Sequence, residues 1–186
     1  MAASKKRIRI VPIGNVDQEI VKEVGRNLKE IVAMEVEIVA AIKEPEYAYN
    51  PSKGQFHSTE ILSKLRDLVQ EDVFRVLGVA DVDLYVPHLN FVFGEADLLG
   101  KTAIISLKRL RQQFYSLKAD RSLSAERASK EAVHELGHTL GLGHCTDRRC
   151  VMHFSNSIED TDFKEKQFCA RCLRHIGGAV AQWERV

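Results

Sequence analysis

The 186-residue chain lacks an excess of charge of either sign. Its 27 Lys and Arg stand against 26 Asp and Glu, for a net charge of +1. A nucleic acid or an acidic membrane surface would find little to grip, so neither partner is expected. Long apolar runs are also missing, and no stretch approaches the ~18 residues of a membrane span. The start, MAASKKRIRIVPIG, is basic, but Arg9, Pro12 and Gly14 break what would have to be the apolar core of a secretory signal. Lys5-Lys6-Arg7 runs straight into an apolar strand and reads as its solvated flank. The expected location is therefore the cytoplasm, where thiols stay reduced. There is no internal repeat and no low-complexity segment. What remains is 45% hydrophobic and 28% charged, as in soluble globular proteins, and long enough for one domain with a core. A monomer is expected.

Local patterns give a strand–helix–strand opening. RIRIVPIG alternates, Asp17 to about Met34 repeats its apolar positions at helical spacing, and EVEIVAAI is extended. This order predicts a parallel pair with a crossover helix. A second helix is expected after a cap at Ser58 or Thr59, burying Ile61, Leu62, Leu65, Leu68, Val69, Val73, Phe74 and Leu77. VDLYVPHLNFVFGEADLLG reads as extended with a turn near Pro87 to Asn90, and TAIISLKRL as a further strand. Gly94 and Gly100 bracket the connection, which suggests an antiparallel turnback at a sheet edge. KADRSLSAERASKE then opens a helix. The last 42 residues hold all four cysteines and one helix-like segment, KQFCARCLRHIGGAVAQW. The layout predicted is a single domain, 1–186, with an N-terminal part (1–144) and a small C-terminal part (145–186).

The helix opened by that polar stretch carries HELGHTLGLGHC, starting at His134. With 7 His, 16 Glu and 11 Gly in the chain, H-E-x-x-H-x-x-G-x-x-H arises by chance on the order of 10⁻⁴ or less. His134 and His138 lie one turn apart on one face, so both imidazoles can reach one ion at ~2.0–2.1 Å. Gly141, one turn on, can take positive φ and end the helix. His144 can then return as a third ligand. Three protein ligands leave a fourth position open for water, the mark of a catalytic zinc. Glu135, beside the first ligand, is placed to take a proton from water without being a ligand.

This eleven-residue pattern resembles the metzincin metallopeptidases. The continuation through Cys145, Cys150, Met152 and Cys169-Ala-Arg-Cys172 looks like their archaemetzincin branch. The resemblance covers His134 to Cys172. It implies an α+β, zincin-like mixed twisted sheet with an active-site helix and a small zinc-stapled C-terminal part. It also implies a methionine turn at Met152, with a plain core methionine as the alternative, and a second zinc on the four cysteines. The spacing agrees: C-x4-C and C-x2-C, eighteen residues apart, let two clips converge on a closed tetrahedral site, against the alternatives of two disulfides or free thiols. Such an ion would fix the C-terminal part and, through Cys145, the neighbouring His144. Two Zn²⁺, one catalytic and one structural, are thus expected.

The activity implied is a zinc peptidase in which Glu135 takes the water proton and passes it to the leaving amine. An extended peptide substrate is expected along an edge strand near Asn90 to Glu95. Some metzincins carry a tyrosine two residues past the methionine, where this chain has Phe154. Tyr85, Tyr115 or no tyrosine at all would have to serve. No propeptide is evident, so a preference for short peptides is expected. Glu95 and Asp97 could hold a free N-terminal ammonium, as in an aminopeptidase, or could be solvated turn residues. The alternatives are a zinc-binding module without turnover and a structural adaptor. His57, His88, His153 and His175 read as surface or loop residues.

Overall fold

The alternating stretch at the start forms β1 (Arg7–Ile13) of a computed structural model that describes residues 6–98 and 100–183. Lys5, read above as a strand flank, lies outside the described residues. Helix α1 (Gln18–Val32) begins where the Asp17 carboxylate accepts from the backbone N–H groups of Glu19 and Ile20, and ends at Ala33 in the left-handed region. Strand β2 (Glu35–Ile38) then pairs parallel with β1, as the crossover pattern predicts, and Ile42 makes a further bridge to Ile13.

The second helix departs from expectation. α2 (Ser58–Leu65) has only eight residues, and a 3-10 turn ends it at Leu68. Neither Ser58 nor Thr59 caps it. His57 occupies the cap position, and the Ser58 hydroxyl donates instead to the Tyr85 carbonyl. Val73, Phe74 and Leu77, expected on that helix, lie in β5 (Val73–Ala80), which is buried along its whole length. A strand covered on both faces has no polar–apolar alternation, so its apolar run can pass for a helix face.

The remaining strands are β3 (Tyr49–Asn50), β4 (Gln55–His57), β6 (Leu84–Tyr85), β7 (Gly94–Ala96) and β8 (Thr102–Ser106). The main sheet runs β2-β1-β5-β8-β7. Its first four strands are parallel, and β7 is antiparallel at the edge. The Gly94 to Gly100 turnback is therefore borne out. A three-stranded sheet, β3-β4-β6, was not foreseen.

Alternation along β8 divides the core. Ala103 and Ile105 face α1 and the long helix α3 (Arg121–Thr139), while Ile104 faces α2. The C-terminal segment adds α4 (Ile158–Phe163) and α5 (Ala170–Trp183). Its Val151, Met152, Phe168 and Ile176 join the same apolar cluster as Ala132, Val133 and Leu136 of α3. α3 is therefore enclosed on nearly every side, and its buried charges need partners. Arg127 clasps the Asp162 carboxylate with two bonds of 2.6 Å, and Lys164 lies 2.8 Å from Glu131.

Candidate metal centre

α3 starts at Asp120, whose side chain accepts from the Leu123 N–H, and runs unbroken through the histidine pair. At its end Gly141 takes φ +86°, as the sequence suggests, and Leu142 N–H returns to the Gly137 carbonyl at 3.1 Å. The chain reverses there and brings His144 back beside the helix. One ligand atom from each of His134, His138 and His144 lies within 4.8 Å of the others.

Second contacts set which ring nitrogen is offered. His134 Nδ1 lies 2.8 Å from the Val151 carbonyl and His138 Nδ1 2.7 Å from the Leu142 carbonyl. A carbonyl can only accept, so each Nδ1 carries the proton and each Nε2 lone pair is left free. The two Nε2 atoms stand 3.1 Å apart. Two neutral nitrogens that close cannot hydrogen-bond each other without a proton between them. The ligand spacing of a tetrahedral ion with Zn–N of ~2.05 Å is about 3.3 Å, so the donor set fits zinc. Burial lowers the pKa of all three histidines, most strongly that of His134, and favours the neutral form a metal needs.

Glu135 is 5% exposed on the same helix. Burial first, and then the neighbouring Glu131, raise its carboxyl well above the ordinary range, while Lys164 opposes the shift. Its side chain packs on Gly94 of β7. A Cβ there would stand 2.7 Å from Glu135 Cγ, so the edge strand can come this close to the helix only with glycine at that position. Composition and periodicity gave no hint of this contact.

Met152 is fully buried beneath the helix. A Cβ on Gly137 would overlap its sulfur, so the helix glycine between the first two histidines makes room for it. Cys145 N–H donates to the Met152 carbonyl at 2.8 Å. The same short segment thus carries Met152 and the Val151 carbonyl that orients His134. Behind the helix end, the Arg75 guanidinium donates to the Thr139 carbonyl (2.9 Å) and hydroxyl (2.8 Å). A cation there is favourable at a helix C-terminus.

The four cysteines also converge. Their sulfurs all lie within 4.8 Å of one another, with Cys145 and Cys169 at 3.8 Å and Cys150 and Cys172 at 3.7 Å. These are not disulfide distances. They match the ~3.8 Å edge of a tetrahedron with Zn–S of ~2.3 Å. The Cys169 N–H and the Arg171 guanidinium donate to the Cys150 and Cys145 sulfurs, as donors around thiolates do.

A cleft of about 560 Å³ opens over the histidines, walled by residues 89–96, Phe154, Ser155 and Asn156. Among the described residues no tyrosine lines it. Tyr85 takes a hydrogen bond from Asn50, and the Tyr115 hydroxyl donates to the Arg109 carbonyl. The ring beside His144, at 4.8 Å, is that of Phe154. Glu95 lines the cleft and accepts from the Ser58 and Thr59 hydroxyls, whereas Asp97 turns away to Arg66 at 2.8 Å. Of the remaining histidines, His57 stacks on Tyr85, and His153 reaches the Cys145 carbonyl at 3.0 Å.

Three kinds of similarity accompany this geometry. The family model for peptidase family M54 matches residues 6–177. The archaemetzincin of Methanocaldococcus jannaschii is 51% identical over 170 residues, covering 91% of this chain and 92% of that one. The crystal structure of archaemetzincin from Methanopyrus kandleri superposes with a TM-score of 0.83 at 37% identity, covering 97% of this chain and 98% of that one. A zinc-dependent peptidase from Methanocorpusculum labreanum superposes with a TM-score of 0.85 at 28% identity, covering 91% of this chain and 99% of that one.

Proposed function

The chain belongs to the archaemetzincins, the zinc metallopeptidases of family M54, and on that premise we propose that it cleaves short peptides with an aminopeptidase-like preference. The observation that carries the reading is the convergence of three histidine nitrogens beside a buried carboxylate at the floor of an open cleft. In this reading His134, His138 and His144 hold the catalytic zinc. Cys145, Cys150, Cys169 and Cys172 hold a structural one. Zinc, when bound, supplies Lewis acidity that lowers the pKa of water toward ~7 and polarises a carbonyl.

The protein's own residues do the rest. Glu135 takes the proton of the attacking water and delivers it to the leaving amine. Met152 supports the helix from below. The exposed edge of β7 offers backbone groups to an extended peptide. Among the acids lining the cleft, Glu131 is paired with Lys164 and Glu135 is the base. Among the described residues Glu95 has only hydroxyl partners, which leaves it as the anion for a free N-terminal ammonium. Asp97 has no part in this. The chain works as a monomeric single domain in the cytoplasm, where its cysteines stay reduced.

The test compares a short peptide with its N-acetylated twin. Acetylation abolishes cleavage under this reading, and Glu95→Gln raises KM for the free peptide. Equal cleavage of both peptides, or internal cuts in a long unfolded chain, would make the protein an endopeptidase.

A further inference from the structure

The cleft wall contains an aromatic plate that the peptidase chemistry does not use. Much of the wall is apolar, and three large apolar side chains in it, Leu89, Leu98 and Phe154, are 47%, 63% and 41% exposed. Exposed apolar side chains gathered along one concave surface mark a binding face. Phe91 sits among them but is held differently. Its ring meets Phe93 edge-to-face at 5.1 Å. The guanidinium of Arg109 lies 4.2 Å from its centroid and also 4.7 Å from the ring of Phe114. Arg109 therefore lies against both aromatic rings.

Arg109 is itself locked. Its Nε and Nη2 donate to the two oxygens of Asp83 at 2.6 and 2.7 Å, a bidentate pairing that fixes the plane of the fork. The backbone next to Phe91 is tied as well. Val92 N–H donates to the Leu84 carbonyl at 3.0 Å, and Ser106 N–H to the Phe93 carbonyl at 2.8 Å. Phe91 thus has a fixed backbone, a fixed neighbour and a fixed cation against its ring. It loses little rotamer freedom when something docks on it, and such preorganisation favours binding. The plate lies three residues before Gly94, where the edge strand passes Glu135.

We propose that Phe91, positioned by Arg109, determines specificity in this cleft and selects peptides carrying an aromatic or other large apolar side chain. The proposal rests on the reading that the cleft binds peptides. A ring stacked on a fixed aromatic wall gains both buried apolar area and an aromatic contact. An alanine methyl in the same place gains almost none of either.

The test measures binding, so that turnover is not needed. Zinc-loaded Glu135→Gln protein is titrated by calorimetry with an alanine pentapeptide with free termini. Five further peptides each carry one phenylalanine, moved through the five positions. At one position phenylalanine tightens Kd by about tenfold or more over the all-alanine peptide. Adding Phe91→Ala brings that ratio to within about twofold. Phe91→Leu, which keeps apolar bulk and guards against a folding defect, leaves an intermediate ratio. Arg109→Gln lowers the ratio at least threefold, and Arg109→Lys, which keeps a cation beside the ring, recovers part of it. An unchanged ratio in Phe91→Ala would overturn the proposal. So would an Arg109→Gln defect shared equally by phenylalanine and alanine peptides, since that would make the stack a scaffold only. Failure of every peptide to bind would remove the peptide-cleft reading, and this inference with it.

Discussion

Replacing Gly94 by alanine tests the catalytic geometry without touching a histidine, a cysteine or the carboxylate itself. The added Cβ would meet Glu135 Cγ and the Ile104 carbonyl oxygen at 2.7 Å each, and Glu135 Oε1 at 2.8 Å. Carbon atoms in comfortable contact lie about 3.5–4.0 Å apart. Something must therefore yield by roughly 1 Å. The Ile104 carbonyl belongs to β8, in the middle of the main sheet's pairing, and cannot move alone. β7 must draw back from that carbonyl and Glu135 must give way, and being buried Glu135 has few other places to go. A displacement of about 1 Å in a reacting group costs about 10²-fold in rate. Crowding should also cost about 1–3 kcal/mol of stability. The assay is kcat/KM on a short peptide, with zinc counted on the same sample. The expected result is two zinc equivalents, a cooperative melt at lower temperature, and turnover down by about two orders of magnitude. Gly177→Ala in α5 is the control. Nothing lies within 4 Å of a Cβ there, so it should keep activity and gain up to ~1 kcal/mol from helix propensity. Full turnover in Gly94→Ala would mean either that Glu135 is not the base or that its position does not matter. Either outcome refutes the reasoning.

Three further expectations follow from the same site. Glu135→Gln should keep both zinc equivalents and the fold but lower turnover at least ~10²-fold, because glutamine preserves shape and cannot accept the proton. Near-normal turnover would remove Glu135 from its role. Cys172→Ser should destabilise the protein more than His138→Ala in a thermal melt, since Cys172 belongs both to the sulfur cluster and to the main core, while His138 faces an open cleft. Elemental analysis should show the histidine change costing one zinc equivalent and sparing the other, and the reverse order of melting would contradict the division into catalytic and structural ions. In metal-stripped Glu135→Gln protein, the urea midpoint should fall as pH drops below about 6.5. Burial holds the three histidines below the ordinary imidazole value of 6.5, so in that window the unfolded chain binds more protons than the folded one and stability rises with pH. A midpoint that stays flat between pH 7.5 and 5.5 would show that these imidazoles are not held neutral by the fold.

What could be read directly from residues was whatever depends on short-range spacing. A spacing of four from His134 to His138 makes about one helical turn, and a glycine three past the second histidine ends that turn. Two pairs of cysteines at clip spacing announce a closed site. The first crossover unit and the Gly94 to Gly100 turnback were legible for the same reason, since each is a local period bounded by turn residues. β5 was not legible, because a strand covered on both faces shows one apolar run and no alternation. Nor could spacing show that Val151 and Leu142 carbonyls choose the histidine tautomers, that Gly94 makes room for Glu135, that Gly137 makes room for Met152, or that Asp97 turns to Arg66 and does not line the cleft. Each of these joins residues that the chain alone does not bring together, or depends on the direction a side chain takes once packed. The sequence by itself determined which groups can bind metal and move a proton, because that is a property of side-chain chemistry and helix geometry. Only the tertiary structure decided where those groups point and what they touch, because that follows from how β7, α3 and the cysteine-bearing segment pack against one another.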